Sequence, residues 1–558
     1  MKTPSQTLLG IILLQATLLL NPPTARAGSA TWKLAPSSED WNTAANWIPE
    51  TVPNDPADIA TFGDSNITTI FLSAQTHLDS IIFNPTAPAF TFSTTRQGLE
   101  FFGAGVANNS TNEQNFVTGL QDGGIIAFRN NATAGNAVFT VYGDAFQPFV
   151  YFYDNTTAGD ATFFNYGGFG GAVTWFFDSS TAGNATFNNF SGGNGANDGV
   201  TVFEDESSAG TATILCNGGD AVFHKHSSAA SSTLIANLDT IFFLEDSTAG
   251  ESTVIANGAR YPQAGYGMIL FLDGNASAGD ATLVANGGRN GGHGGLIAFY
   301  AETRGQQARV RVFDNGALDI STHSALVPMS IGSLEGTGTV ALGANNLTIG
   351  RNHLNTTFSG VISDGQNGGS LTKVGAGTLA LRGSNNYTGG TTVLSGNLRI
   401  DNTVGSGTGT GPVEVITGTL GGNGVIGGAV TTGTGQVGRG ILEPGINTIG
   451  PLTVENTLTF AARGTYKWHV DTISATADKV AAAGVTISNG ALFSAIPRGN
   501  AALFVGAVFT VIDNTAVQAI AGTFSNLADG AIITVNDSKL QASYTGGDGN
   551  DLTLTAVP

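Results

Sequence analysis

From about residue 130 the chain alternates apolar and polar positions in short runs. Each run follows a small turn and ends at a glycine or asparagine break. The unit reads TAGNAVFTVYG (133–143), TAGDATFFNYGG (157–168), SAGTATILCNGG (208–219), DSTAGESTVIANG (246–258) and SAGDATLVANGG (277–288). Val, Ile, Thr and Phe in period-two alternation predict strands, and the Ala-Gly and Asn-Gly pairs predict turns. Outside the first residues, no stretch holds helical spacing for more than about two turns.

Anchored on the second residue of each turn, the copies fall at Gly135, Gly159, Gly183, Gly210, Ala230, Gly250 and Gly279, in steps of 24, 24, 27, 20, 20 and 29 residues. A period in this range marks stacked units, none of which buries its apolar face alone. The length varies only in Gly-rich insertions such as ARYPQAGYG (259–267) and GRNGGHGG (288–295), which places them on one corner of a coil. A coil of roughly 20 residues accommodates three short strands and three turns. The predicted fold is all-β: a right-handed parallel β-helix (β-solenoid) with an N-terminal cap and a C-terminal β region. Seven residues after the anchor, four units carry Asn217, Asn237, Asn257 and Asn286. Coils stack roughly 4.8 Å apart, so these amides are expected to form one axial ladder. Two earlier units have Tyr166 and Phe190 there, with Asn165 and Asn189 one place before.

The flanks differ. Lys2, an apolar run from Leu8 to Leu20 and Ala25-Arg26-Ala27 have the form of an export signal, residues 1–27. The run falls short of the roughly 20 residues of a membrane span, and no later segment supplies one. A secreted or cell-surface protein without a transmembrane segment after signal cleavage is expected. Residues 28–115 carry Trp32, Trp41 and Trp47, which suit either a cap over the raw end of the solenoid or a sugar-stacking platform. The remaining boundaries are read as a repeat array at 116–325, a second type of coil at 326–460 and a C-terminal β region at 461–558.

The formal net charge is −20, and −22 once Lys2 and Arg26 leave with the signal. That balance excludes nucleic acid, whose phosphates need clustered Lys and Arg. With 41% hydrophobic and 11% charged residues the chain is not disordered. The single cysteine, Cys216, excludes an internal disulfide and reads as a buried thiol in the run ILC.

The string GGSLTKVGAGTLALRGSNNYTGGTTVLSGNLRI (368–400) resembles the autotransporter-associated β-strand repeat, also called the passenger-associated transport repeat, of bacterial surface proteins. The resemblance rests on Leu371, Thr372, Lys373, Gly375, Gly377, Thr378, Leu379, Leu381, Asn386, Tyr387, Gly389, Gly390, Thr391, Val393, Gly396 and Leu398. Residues 422–460 look like the Gly-rich coils that follow it in such proteins, and the Trp-rich opening looks like their start. The resemblance implies an exported passenger. The tail, with VFTVID (508–513) and LTLTAV (552–557), does not look like the alternating strands of a translocator barrel, so an exported β-helix lacking that barrel is expected.

Chemistry is sparse. Gly292-His293-Gly294 resembles an element of polygalacturonases, but no adjacent Asp-Asp precedes it and the next basic pair is Arg309 and Arg311. Acids recur just before the small turn, at Asp154, Asp178, Asp205, Glu245 with Asp246, and Asp273. They suit capping of their own turns, or a column of carboxylates binding Ca2+ weakly as the only cofactor. His224 with His226 and the motif GGDGND (546–551) are minor metal-site candidates. No nucleophile elbow, phosphate loop or zinc pattern is present. No catalytic residue is assigned. The expected function is structural or adhesive, with extracellular polysaccharide or other cell-surface components as partners. A carbohydrate-active enzyme, a polysaccharide lyase or glycoside hydrolase, is the alternative.

Overall fold

The computed structural model describes residues 28–558 apart from 95, 120–122, 145 and 194, so the export-signal reading of residues 1–27 lies outside the described residues. The chain winds into a β-solenoid of about 18 coils. One face is a 16-stranded sheet running from Trp47–Ile48 and Ala30–Trp32 at one end to Val361–Ser363 at the other. A second face stacks parallel strands from Thr69–Phe71 through Thr233–Ala236 to Leu492–Arg498. Each coil pairs with the next in parallel and without shift through the array, as in Thr233↔Thr253 and Leu234↔Val254. Every repeat position therefore becomes an axial column.

The third side differs from the expected third strand. Between residues 105 and 304 it narrows to one bridge per coil, linking Thr133, Thr157, Thr181, Ser208, Ser228, Thr248 and Ser277. The T-A-G unit explains this. The Thr157 hydroxyl accepts the N–H of Gly159 at 3.0 Å, and Gly159 takes φ +63. Ala158 and Ala161 are fully buried beside it, where the chain turns too tightly for a larger side chain. From Met329–Ile331 to Val485–Ile487 this side widens into eight parallel strands.

The core is built of columns. Phe101, Phe128, Phe152, Phe176, Phe203, Phe223, Phe243, Phe271 and Phe299 stack in one line with ring centroids 4.5–5.0 Å apart. A second line, Phe92, Phe116, Phe139, Phe163 and Phe187, continues as Ile214, Leu234, Val254, Leu283 and Val310. Cys216 is fully buried, and burial raises its pKa far above the usual thiol range, so it is inert.

The boundaries at 115/116 and 460/461 do not separate folds. Ile59↔Ser80 and Ile81↔Val106 are already parallel coil pairs, and Tyr466↔Phe493 is another. The turn residues change there, but the alternating burial does not. The cap proper is residues 28–58. Trp32, Trp41 and Trp47 are at most 2% exposed and meet edge to face at 4.8–5.0 Å over Phe62. Their indole N–H groups donate to the carbonyls of Ile67, Pro53 and Trp41. They seal the end of the core and offer no open platform. At the other end Val508–Asn514, Asp551–Val557, Ser538–Gly546 and Ile532–Val535 close the stack with antiparallel strands. GGDGND turns the last hairpin, pairing Gly546 with Asp551. Among the described residues no helix is long and apolar enough to cross a membrane.

Candidate functional site

The recurring acids form a column, but they do not cap their own turns. Asp154 accepts the N–H of Asn130 in the preceding coil at 2.8 Å, Asp178 that of Asp154 at 2.9 Å, and Asp205 that of Asp178 at 3.3 Å. Glu245 accepts from Lys225 and Asp273 from Glu245, each across one coil. The residue that donates has positive φ in each case (Asn130, Asp154, Asp178, Lys225 and Glu245) and turns its N–H along the solenoid axis, where only the next coil can meet it. Lys225 occupies one step of the column and pairs with Asp205 and Glu204 at 2.8 and 2.9 Å. That hydrogen bond holds the Asp205 carboxyl below its ordinary pKa. Asp246 stands beside the column, accepting from the Asn275 amide, with His226 at 3.9 Å. Among the described residues no three His, Cys, Asp or Glu side chains are grouped to hold a metal ion.

The opposite corner carries the asparagines. Asn237 donates its amide to Asn217 at 2.8 Å, Asn257 to Asn237 at 2.7 Å, and Asn286 to Asn257 at 2.8 Å. The same column continues toward the N-terminus as Phe190, Tyr166 and Tyr142, with ring centroids 4.8 and 5.2 Å apart. Toward the C-terminus it continues as Phe313, one place after Val312, the partner of Ala285. Asn165 and Asn189 lie one place inward and are fully buried. They bond each other at 2.9 Å and take the hydroxyls of Thr174 and Thr201.

A groove of about 1250 Å3 opens over the ladder. The four ladder asparagines form its floor, Arg260 and Tyr261 of one insertion and Arg289 of the next line its side, and Phe313 with Asp314 closes one end. The insertions lean on each other: Arg289 N–H donates to Ala259 O at 2.8 Å, and Ala259 N–H to His293 O at 2.7 Å. This explains Gly292-His293-Gly294. A Cβ at Gly292 would lie 2.4 Å from Ala259 O, and one at Gly294 2.0 Å from Asn315 O. The glycines permit close coil contact, while His293 is exposed and faces Tyr266, not a carboxylate.

Sequence reasoning missed one titratable pair. Asp220 and Asp239 lie within hydrogen-bonding reach just past the ladder asparagines of two successive coils. Burial, then the neighbouring Asp239 charge, pushes the Asp220 carboxyl up to about 7. Burial and the charge of Asp198 raise Asp239. The Thr240 N–H donates to Asp220 at 3.1 Å and its hydroxyl to Asp239 at 3.3 Å. The visible signal is an acid at the strand entrance in GANDGV, GGDAV and NLDTI.

The transport-repeat residues have structural work. Lys373 is 1% exposed and donates to the carbonyls of Val374, Gly375 and Ser395 at 2.6, 3.0 and 3.3 Å. Burial pulls its pKa toward about 8, opposed by three carbonyls that accept best from the charged form. Buried Tyr387 is bonded to the Thr391 hydroxyl at 2.6 Å.

The family pattern of the passenger-associated transport repeat matches residues 371–400. An 83-residue stretch is 40% identical to the adhesin BmaC autotransporter of Brucella suis biovar 1 (strain 1330), covering 15% of this chain and 2% of the adhesin. The chain therefore spans only a small fraction of that relative. The crystal structure of the Haemophilus influenzae Hap adhesin aligns over 89% of this chain and 64% of its own, at 12% identity and a TM-score of 0.30. The chain thus carries, within a continuous β-solenoid, one repeat of the passenger-associated transport type and a stretch similar to an autotransporter adhesin.

Proposed function

We propose that this protein is an exported surface solenoid that adheres to extracellular polysaccharide through the ladder corner and has no catalytic turnover. One observation carries the reading. A single column runs from the stacked rings of Tyr142, Tyr166 and Phe190, through four linked amides, to Phe313, and the groove opens above the amides. The stacked rings turn their edges outward as an apolar strip, and the ladder amides pair with hydroxyls, so such a strip suits a linear glycan. Four asparagines tied in line lose little conformational freedom on binding. The kinship with an autotransporter adhesin agrees with an adhesive role at the cell surface.

The acid pair next to the ladder is the observation favouring a glycan-cleaving enzyme. Its geometry does not suit the chemistry. Glycosidase carboxyls stand about 5 to 9.5 Å apart across the scissile bond, whereas Asp220 and Asp239 are close enough to share a proton and both are held by Thr240. The test is incubation of the purified protein with pectin, alginate and neutral glucans. Retention of the protein on a glycan without release of reducing ends or unsaturated products supports the reading. Products that vanish in Asp239→Asn or His293→Ala overturn it.

A further inference from the structure

The cations of this chain are few, 21 Lys and Arg among 558 residues, and several of them are held by acids. Arg129 pairs with Glu100, Arg309 and Arg311 with Glu335, Arg399 with Asp401, and Lys467 with Glu443. Arg260 and Arg289 differ. Both are exposed, both line the groove over the ladder, and among the described residues neither guanidinium has an ion-pair partner. Their loops are fixed to each other through Arg289 N–H to Ala259 O and the Asn290 amide to Arg260 O, which sets the two arginines on neighbouring coils. Coil spacing is roughly 4.8 Å, comparable to one pyranose unit. Asp314 lines the far end of the same groove and offsets one of the two charges there.

We infer that this groove takes an acidic oligosaccharide, with carboxylates on its sugars meeting Arg260 and Arg289 while its hydroxyls meet the asparagine ladder. The inference rests on the polysaccharide reading of the same corner and adds the class of sugar. A guanidinium binds a carboxylate through two parallel N–H donors, which fixes orientation as well as charge. Long-range repulsion between the chain's net charge of −20 and an acidic glycan falls off within about 8 Å at physiological salt, so the local pair governs binding there.

The experiment is calorimetric titration of the purified protein with hexagalacturonate and with cellohexaose in physiological salt. Arg260→Gln and Arg289→Gln serve as variants whose side chains are exposed, with circular dichroism as the fold check. The acidic hexamer is expected to bind more tightly. Each substitution is expected to weaken it about tenfold, the loss of one charge-assisted contact, while leaving the neutral hexamer unchanged. Equal affinity for both hexamers, or an acidic affinity indifferent to both substitutions, overturns this inference and leaves polysaccharide adhesion standing. Binding of neither hexamer overturns both.

Discussion

Asn257 donates its side-chain amide to Asn237, 2.7 Å away and one coil earlier, and the same bond recurs on either side of the pair. Each amide is at once donor and acceptor, so the ladder acts as a unit. Asn257→Ala is expected to cost about 1 kcal/mol, because it strips a partner from both neighbours. The double change Asn237→Ala with Asn257→Ala is expected to cost less than the sum of the singles, since they share a bond. Urea midpoints of the four proteins check this.

Phe176 sits between Phe152 and Phe203 in the buried line, at 4.6 and 4.9 Å, whereas Phe169 is 85% exposed. Phe176→Ala is expected to destabilise by about 3–5 kcal/mol, and Phe169→Ala by no more than about 0.5. Coils contact only their neighbours, so the loss of hydrogen-exchange protection in Phe176→Ala should centre on adjacent coils and fade along the axis.

The acid column reports through backbone bonds. Asp178→Ala orphans the N–H of Asp154 and is expected to lower the melting temperature, whereas millimolar calcium is expected to leave that temperature unchanged in the parent. A ligand that favours the folded state would raise it by mass action, so an upward shift lost in Asp178→Ala would assign the column to calcium.

The Asp220–Asp239 pair predicts a pH dependence of defined sign. The folded Asp220 carboxyl titrates near 7 and an unfolded one near 3.9, so between these values the folded state holds the extra proton. Its stabilising contribution is present in full below about pH 4 and is lost as pH rises through 7. Asp205 and Asp364, held below their ordinary values, lose theirs as pH falls, in a lower window. Denaturant midpoints from pH 4 to 7.5 should decline in the parent, and Asp220→Asn should flatten the decline.

Period and turn chemistry made the fold legible. The T-A-G unit recurs because one corner needs a hydroxyl acceptor, a positive φ and two buried alanines in sequence. The seven-residue offset to Asn217, Asn237, Asn257 and Asn286 is visible in the chain, and pairing without shift turns it into a column. Other features lie between coils and were not legible. Nothing local in DNTT (154–157) says that its carboxylate serves the coil before it. The Asp220–Asp239 pair depends on two strand entrances meeting across a corner of unequal turns, Gly218-Gly219 and Leu238. The groove exists because the insertions at 259–267 and 288–295 lean together, which neither string specifies alone. The single-bridge third side was hidden too, since Thr and Ser suit a strand as well as a turn.

The central claim, that the ladder corner is the adhesive surface, is tested most directly by hydrogen exchange on the purified protein with and without saturating hexagalacturonate. Slowed exchange is expected in the insertions 259–267 and 288–295 and at the ladder positions that floor the groove, with the acid column and the Trp cap unchanged. Protection confined to another face, or none while binding is saturated, would contradict the account.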